Sequence, residues 1–345
     1  MTHFWLRHET RAHEDRSPLT PGGAKALIDA GFRVTVEDSP TRVFPTQDYA
    51  AAGCTVVQAG TWPDAPVETV ILGLKELPET GTPLPHRHIT FGHAFKGQHS
   101  GRALLDRFKA GGGTLLDLEY LTDANGRRVA AFGYWAGYAG AAVSLLALAA
   151  QTGAPMAPLT GWRDKAALLA DLYAALRDHD TLSAIIIGAL GRVGVGAADL
   201  CAEAGVSVTG WDMAETASGG PFPEILNHDL FFNCILARPG TPVFVGPEAL
   251  CAPRKLRMIG DIACDPDSDY NPVPLYEEAT SWEAPVVPVH DDPPLEVMAI
   301  DNLPSLLPRE STEDFAAQLL PHLLAFDSDE HGVWSRAREE FARHL

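Results

Sequence analysis

Cysteine is scarce in this chain, and its distribution argues against two kinds of protein. The 345 residues include five cysteines, an odd number, and no Cys-x-x-Cys pair occurs. Disulfide-stabilised secreted domains and structural zinc modules need cysteines at closer, paired spacings. We therefore expect reduced thiols in a hydrophobic core, at Cys54, Cys201, Cys234, Cys251 and Cys264.

Basic residues are also few. The chain has 26 lysines and arginines against 45 aspartates and glutamates, which gives a formal net charge of −19. A surface that negative repels phosphate backbones and anionic lipids, so the sequence predicts no nucleic-acid partner and no membrane partner. The same charge means that an acidic substrate needs a local cationic site.

Long apolar runs are missing as well. The longest one, residues 138–150, is too short to cross a bilayer and is typical of a buried helix. The N-terminal MTHFWLRHETRAHEDR is charged throughout and lacks the apolar segment of a secretory signal, and the final Arg-His-Leu is a poor match to a peroxisomal signal. We therefore expect a cytoplasmic protein. Its oligomeric state stays open, with a monomer as the working assumption.

The pattern that is present is an alternation of strands and helices. A helix is predicted from Thr20-Pro21 to Gly31, because Thr caps a helix start, Pro suits the first turn and Gly suits the end. Short apolar runs then follow along the first third of the chain, beginning near residues 32, 54, 69, 88 and 114. Strands that alternate with helices imply a parallel sheet covered on both faces.

A second pattern of the same kind begins at residue 183, after a small-residue helix at 137–151, and its strands recur near residues 206, 230, 256 and 284. The length also favours two cores over one. We predict an α/β protein with two Rossmann-like domains, both with parallel sheets. A discontinuous substrate domain spans 1–133 and 308–345, and an NAD-binding domain spans 134–307.

The most specific local signal is a glycine-rich turn between an apolar strand and a helix predicted at 197–204. Gly188 allows the tight turn, Gly191 lets the backbone approach a pyrophosphate, and Gly194 lets helix and strand pack closely. The spacing is GxxGxxG instead of the commoner GxGxxG. The residues predicted to bind the cofactor are Gly188, Leu190, Gly191, Arg192, Val193, Gly194 and Asp212.

Asp212 supplies a second check on this motif. It ends the next strand, about twenty residues past the glycines, where a carboxylate binds the adenosine ribose. A carboxylate there repels a 2′-phosphate, so we predict NAD over NADP, although Arg192 could reach a phosphate. The alternative is that these glycines only form a strand-to-helix turn.

Charged side chains follow the strands of the first domain. Lys75 and Glu76 follow one strand, His93 another and Glu119 a third. Because carboxyl ends of parallel strands share one edge of a sheet, these groups form a candidate catalytic site. Cationic residues that accompany them are Arg16, Lys96, Arg127 and Arg128.

Each of these residues also has a structural interpretation. Lys75 and Glu76 could be a solvated pair, His93 a core histidine and Glu119 a loop cap. Arg127 and Arg128 could belong to a surface turn after Asn125-Gly126. A zinc site at His86, His88 and His93 is disfavoured, because no cysteine or carboxylate lies at ligand spacing.

Several of these segments resemble the NAD-dependent, lysine-forming saccharopine dehydrogenases, almost from end to end. They include LRHETRAHEDRSPLTP, ILGLKELPET, HITFGHAFKGQ, GRRVAAFGYWAGYAGAA, IIGALGRVGVGA and IDNLPSLLPRE. The resemblance implies a two-domain architecture shared with alanine dehydrogenases, with the active site in the cleft between domains. This sequence differs from the family pattern at Asn302, where fungal members are expected to have histidine. The chain is also somewhat shorter than those of the family.

The resemblance also implies roles for individual residues. Lys75 and His93 match the acid–base pair, while Glu76 and Glu119 match carboxylates that tune it and bind the lysyl end of the substrate. Arg16 and Arg128 match arginines that hold substrate carboxylates, Lys96 is counted among the substrate-binding residues, and Asp212 matches the ribose ligand. The implied substrates are saccharopine, L-lysine and 2-oxoglutarate, and no metal is expected.

Three other functions fit parts of the pattern. An alanine or opine-type dehydrogenase would share the glycine turn and the Lys75–His93 pair but use another amine. A non-catalytic NAD-binding sensor would not need that pair. An RNA-binding Rossmann domain conflicts with the net charge of −19.

Overall fold

The computed structural model describes residues 1–95, 99–152 and 156–345, and the chain divides into two compact units. Unit 1 comprises Met1–Ala131 and Pro308–Leu345, and unit 2 comprises Phe132–Leu307. The sequence placed the first boundary after residue 133, where the structure has it after 131, and the second at the same residue. The substrate-binding and NAD-binding roles of the two units stay predictions at this point.

Among the described residues, each unit contains one sheet. In unit 1 the strands are β1 (His3–Leu6), β2 (Arg33–Glu37), β3 (Thr55–Val57), β4 (Val70–Leu72), β5 (Arg87–Thr90) and β6 (Thr114–Asp117). In unit 2 they are β7 (Ser183–Ile187), β8 (Ser207–Trp211), β9 (Leu230–Asn233), β10 (Met258–Asp261), β11 (Val287–Asp291) and β12 (Pro294–Met298). The predicted α/β class with two Rossmann-like units is confirmed.

Helices cover these sheets. They are α1 (Pro21–Asp29), α2 (Thr46–Ala51), α3 (His99–Gly111), α4 (Gly133–Ala150), α5 (Lys165–Leu176), α6 (Arg192–Glu203), α7 (Met213–Thr216), α8 (Pro308–Leu324) and α9 (Val333–His344). The predicted start of α1 is confirmed, because the Thr20 hydroxyl accepts a hydrogen bond from the Gly23 amide at 3.0 Å. Gly31 has φ +93°, in the left-handed region that favours glycine. The helix predicted at 197–204 begins earlier, at Arg192, because the glycine turn leads into it directly.

The strand order explains where polar residues gather. In unit 1 it is β3-β2-β1-β4-β5-β6, with parallel pairing throughout. The order reverses between β1 and β4, and ligands of open α/β sheets bind beyond the carboxyl ends of the strands at such a point. In unit 2 the order is β11-β12-β10-β9-β7-β8, which reverses between β7 and β9.

Three strand features were not foreseen. Strands β1 and β12, which have four and five residues, were not predicted from the sequence. Every strand of the second domain was predicted to be parallel, but β11 pairs antiparallel with β12 at the sheet edge. Both strands of that edge hairpin lie close together in sequence, so they form without the helical crossover that parallel pairing requires.

Helix α4 corrects one prediction and agrees with another. Its 18 residues are enough to cross a membrane by length and composition, so the statement that this stretch is too short was wrong. In the structure 61% of that span is buried, as expected of a core helix. It packs on α6 at close range, since a Cβ on Gly137 would overlap the Val193 carbonyl and one on Gly196 the Tyr134 carbonyl.

The cysteines are only partly in the core. Cys54, Cys201 and Cys234 are buried, and burial raises the pKa of Cys54 to about 11. Cys264 is half-buried. Cys251 is exposed, so the prediction of a core position was wrong for it, because it lies at the end of a short surface 3-10 turn.

Candidate active site and cofactor-binding turn

Lys75 lies just beyond β4, and its backbone is held from three sides. The Glu9 carboxylate accepts hydrogen bonds from the amides of Leu74 at 2.7 Å and Lys75 at 3.0 Å. The Lys75 carbonyl accepts from the Thr90 hydroxyl at 2.8 Å and from the Arg7 guanidinium. Glu9 and Arg7 follow β1, so the two strands at the reversal point together fix the position of this lysine.

A buried carboxylate accompanies the Lys75 ammonium. Glu14 Oε2 lies 4.0 Å from Lys75 Nζ, and the Glu14 side chain is fully buried. Arg16 donates to the same carboxylate from Nε at 2.8 Å and from Nη2 at 2.6 Å. Burial alone would raise the pKa of Glu14, but Arg16 and Lys75 outweigh it, so this pKa lies below its ordinary value.

Arg16 therefore has a well-defined place in the structure. It is 3% exposed and forms a bidentate pair with Glu14. This pair shows a role in fixing Glu14 beside Lys75. The predicted contact between Arg16 and a substrate carboxylate stays a prediction.

His93 lies between two carboxylates. Its Nε2 is 3.9 Å from Glu76 Oε1 and its Nδ1 is 3.9 Å from Glu119 Oε2. The imidazole side chain is 43% exposed and stacks on Phe91, with ring centroids 6.3 Å apart. Glu76 is also 3.4 Å from an Arg11 nitrogen. The structure thus brings together three of the residues predicted from the strand ends, and His93 is not a core histidine.

Asp117, the last residue of β6, organises the backbone around His93. One of its oxygens accepts from the Gly92 amide at 3.2 Å and the other from the Glu119 amide at 2.9 Å. Asp117 is 1% exposed. A single buried carboxylate therefore links the loop that carries His93 to the loop that carries Glu119.

Arg128 lies on a hairpin turn that follows β6. Thr122 forms an antiparallel bridge with Arg128, and the Val129 amide donates to the Leu121 carbonyl at 2.9 Å. Gly126 has φ +76° at the tip, as the Asn125-Gly126 signal predicts. Arg128 is exposed there, and its role towards a carboxylate stays a prediction. Lys96 lies outside the described residues.

The two histidines before His93 are placed in the interior. His86 Nε2 is 2.9 Å from the Ala65 carbonyl oxygen. The His88 ring lies edge-on to Trp62 at 5.1 Å and Phe108 at 5.4 Å, and burial lowers its pKa well below 6.5. In the parts of the chain that the structure describes, no group of three or more His, Cys, Asp or Glu side chains is arranged to hold a metal ion.

The glycine-rich turn of unit 2 has the geometry that its spacing predicts. Gly188 has φ +90°, and a Cβ on Gly194 would overlap the Gly188 carbonyl, so only glycine permits this approach of helix and turn. Gly191 is the N-cap of α6 and has no side chain to accept from the first amides of the helix. Those amides are suited to an anion. Leu190, in the turn, is 83% exposed.

Asp212 lies directly beside this turn. It follows β8, and its Oδ2 accepts from the Leu190 amide at 3.2 Å. Its Oδ1 accepts from the Met213 amide at 2.9 Å and thereby caps α7. The open helix start at Gly191 and a carboxylate at the end of the second strand fit a dinucleotide, with phosphates at the first and ribose at the second.

Some residues of the site were not predicted from the sequence. Glu9 and Glu14 follow β1, which was not assigned as a strand, so their position at the sheet edge could not be inferred. Asp117 was taken as part of the apolar run that forms β6. The one feature of the sequence that pointed to Glu9 and Glu14 was the concentration of charged residues in LRHETRAHEDR.

Comparison with known proteins identifies close relatives. The family model described as the N-terminal domain of alanine dehydrogenase/PNT matches residues 5–139. The chain is 45% identical to the NAD(+)-dependent, L-lysine-forming saccharopine dehydrogenase of Neurospora crassa, over 97% of this chain and 94% of that protein. It is 44% identical to the protein of the same name from Schizosaccharomyces pombe, over 98% and 96%.

A solved structure shares the fold. An L-alanine dehydrogenase aligns with a TM-score of 0.70 at 18% identity and covers 100% of this chain and 94% of its own.

Proposed function

The chain belongs to the family of NAD-dependent, L-lysine-forming saccharopine dehydrogenases, and from that premise we propose that it oxidises saccharopine with NAD to L-lysine and 2-oxoglutarate. The observation that carries this proposal is the row Glu76–His93–Glu119 next to Lys75, at the reversal point of the unit 1 sheet. Unit 1 is then the substrate domain and unit 2 the NAD-binding domain. We further propose a cytoplasmic monomer.

The reaction must break a carbon–nitrogen bond. Saccharopine joins the lysine side-chain nitrogen to the α-carbon of a glutarate unit. NAD supplies the acceptor for the hydride of that carbon. The amine also loses its proton, water adds to the resulting imine, and the carbinolamine collapses to an amine and a ketone. The protein therefore has to accept one proton, activate water and return a proton to the leaving nitrogen.

Lys75 is proposed as the base for the substrate amine. A protonated amine cannot push electrons towards an imine, so the proton has to leave first. Neutral Lys75 accepts it, and the Glu14 carboxylate at 4.0 Å stabilises the ammonium that forms. Arg16 keeps Glu14 ionised for this purpose, because its guanidinium lowers the pKa of that carboxyl.

His93 is proposed as the group that handles water. Imidazole has the intrinsic basicity to deprotonate water near neutral pH and then to protonate the leaving amine. Glu76 and Glu119, each 3.9 Å away, stabilise the imidazolium between these two steps. Partial exposure of the ring gives water access to it.

Cationic side chains would hold the substrate carboxylates. A guanidinium matches a carboxylate bidentately, which suits Arg128 on its exposed hairpin. Arg16, whose Nε and Nη2 donate to Glu14, is proposed to contribute positive charge near Lys75. Lys96 is proposed to assist them. Such a local cationic set overcomes the repulsion between a dicarboxylate and a protein of net charge −19.

A substrate screen tests the proposal directly. NADH oxidation is followed with 2-oxoglutarate while lysine, ornithine, other amines and ammonia are offered in turn. The proposal requires lysine to be strongly preferred. A preference for ammonia or for a different amine would instead identify an alanine or opine-type dehydrogenase.

Substitutions test the acid–base assignment. His93→Ala and Lys75→Ala should each lower kcat by roughly a hundred- to ten-thousandfold, the usual cost of losing acid–base help. The matched controls His331→Ala and Lys25→Ala remove exposed residues that form ion pairs with Glu330 and Asp29, and they should leave kcat unchanged. Near-normal turnover in either test variant would remove that residue from the mechanism.

Cofactor selectivity tests the role of Asp212. Asp212→Gly should relax the preference for NAD over NADP, because the carboxylate that repels a 2′-phosphate is gone. The dissociation constants of both nucleotides, measured by fluorescence titration, check this without turnover. An unchanged ratio would count against a ribose contact.

A further inference from the structure

The last helix of the chain, α9, is firmly attached to unit 1. Its buried face consists of Val333, Trp334, Ala337 and Phe341. The Phe341 ring lies edge-on to Phe108 at 5.6 Å, in the core cluster that also contains Leu115 of β6. The other face of α9 is charged and exposed. The helix is therefore a rigid support lying against the strand that leads into the Glu119 loop.

The first turn of α9 holds the hairpin that carries Arg128. Arg336 donates to the Thr122 carbonyl from Nε at 3.0 Å and from Nη2 at 2.8 Å. Thr122 is the bridge partner of Arg128. The two guanidinium donors converge on one carbonyl at the base of the hairpin, so they fix the direction in which it leaves the sheet.

The last turn of α9 holds the two loops on either side of His93. The His344 ring stacks on Phe95, with centroids 4.5 Å apart and planes inclined by 16°. Phe95 in turn lies 5.0 Å from the Tyr120 ring. Phe95 is two residues beyond His93, and Tyr120 is next to Glu119. This aromatic clasp, formed by Phe95, Tyr120 and His344, thus joins the loops after β5 and β6 at their outer ends.

The backbone conformation of His93 has to be held in place by its surroundings, and the clasp contributes to this. His93 has φ +48°, in the left-handed region that a residue with a side chain adopts only at a cost. Such a conformation persists only where the surroundings enforce it. Asp117 restrains the loop before His93 through the Gly92 amide, and the clasp restrains it after His93 through Phe95.

We propose that α9 is a positioning element with two separable effects: Arg336 orients the substrate-binding hairpin of Arg128, and His344 holds His93 against Glu119. Both residues act through others and neither touches the substrate. This inference rests on the proposed function, because it takes the roles of Arg128 and His93 from it.

Two variants and one control separate the effects. His344→Ala should lower kcat about tenfold with little change in the KM for saccharopine, because a reacting group loses rate steeply when it is misplaced. Arg336→Met should raise that KM about tenfold with kcat nearly unchanged, the pattern of lost ground-state binding. The control Glu339→Ala removes an exposed side chain of the same helix, and it should alter neither constant.

Conservative replacements distinguish positioning from simple loss of structure. His344→Phe keeps a ring that can stack on Phe95 and should restore kcat, and Arg336→Lys should restore part of the substrate affinity. The dissociation constant for NAD should not change in any variant, because the glycine turn belongs to unit 2. If Arg336→Met does not fold, the Arg336→Lys variant carries the test through its KM.

The outcomes are distinguishable. Failure of the wild-type protein to turn over saccharopine would overturn the proposed function itself. Wild-type activity with unchanged constants in His344→Ala and Arg336→Met would overturn only the positioning role of α9. The same holds if Glu339→Ala causes equal losses, or if His344→Phe fails to restore kcat.

Discussion

Asp117 holds the backbones of two loops at the candidate active site. It is buried at the end of β6, and its two oxygens are used by backbone amides of two different loops. A carboxylate suits this position because both of its oxygens are acceptors. It thereby fixes the backbones of the loops that carry His93 and Glu119 relative to one another.

Replacing Asp117 with asparagine should expose this dependence. In Asp117→Asn one acceptor becomes an amide nitrogen, so either the Gly92 or the Glu119 amide loses its partner. We expect a loss of about 1–3 kcal/mol in the free energy of unfolding and a lower kcat with a smaller change in KM. Denaturant titration and steady-state kinetics measure both. Asp106→Asn, on the exposed face of α3, is the control, and equal losses there would contradict the argument.

Glu14 predicts how stability depends on acid. Its folded-state pKa lies below the reference value of 4.5, so its pairing with Arg16 contributes stability that is fully present above pH 4.5. That contribution is lost as the pH falls through the folded pKa, because the unfolded chain takes up the proton more readily. Glu14→Gln should cost about 3–5 kcal/mol at pH 7, since it leaves a buried guanidinium uncompensated.

The measurement is the free energy of unfolding between pH 7 and pH 3. The wild type should lose stability steeply below pH 4.5, and Glu14→Gln should show a shallower decline. Glu313→Gln, an exposed carboxylate on α8, provides the control. Parallel acid profiles for the wild type and Glu14→Gln would show that the pair does not contribute in this way.

At the scale of elements, the turn between β7 and α6 depends on close backbone approach. Gly188 is in the left-handed region and Gly194 lies against its carbonyl. The same crowding recurs between α4 and α6, where Gly137 and Gly196 allow contact between helix backbones. Small residues in α4 and α6 are thus needed to place the start of α6, and with it the amides proposed to bind the NAD phosphates.

Gly194→Ala should disturb this arrangement. The added Cβ would overlap the Gly188 carbonyl, so the turn must shift, at a cost of about 1–3 kcal/mol. We expect a lower midpoint of thermal unfolding and weaker NAD binding by fluorescence titration. Gly22→Ala in α1, where a Cβ meets only the Thr20 hydroxyl at 3.9 Å, should not destabilise. Unchanged NAD affinity in Gly194→Ala would argue against a phosphate role for the turn.

At the scale of the whole molecule, the dominant property is net charge. A formal charge of −19 makes the compact state repel itself, and this repulsion acts over the Debye length of about 10 Å at 0.1 M salt. The local positive charges of Arg16 and Arg128 do not cancel this repulsion. The global field also slows the approach of a dicarboxylate substrate.

Added salt should therefore stabilise the protein. Raising sodium chloride from about 10 mM to about 150 mM screens the repulsion, so the midpoint of thermal unfolding at pH 7.5 should increase. The control is the same comparison near the isoelectric point of about 5.0, where the effect should be much smaller. A midpoint at pH 7.5 that is unchanged or falls with salt would show that ion pairs outweigh the net charge.

Much of the fold could be read from local pattern. The glycine spacing of the Gly188–Gly194 turn lies within seven residues, and α1 has its Thr20 cap, so both were predicted. The gathering of Glu76, His93 and Glu119 followed from one rule about parallel strands. The length of α4 was underestimated from the sequence. The helix also includes Gly133, Tyr134 and Trp135, which precede the predicted apolar run.

By itself, the sequence determined the class of fold, the glycine turn and the strand ends that carry the catalytic candidates, because each depends on neighbours along the chain. Only the tertiary structure decided that Glu9 caps the backbone of Lys75 from 66 residues away. It likewise decided that Arg336 holds Thr122 across 214 residues. The physical reason is that burial and hydrogen-bond partners of a charged side chain are set by segments distant in sequence, which no local pattern encodes.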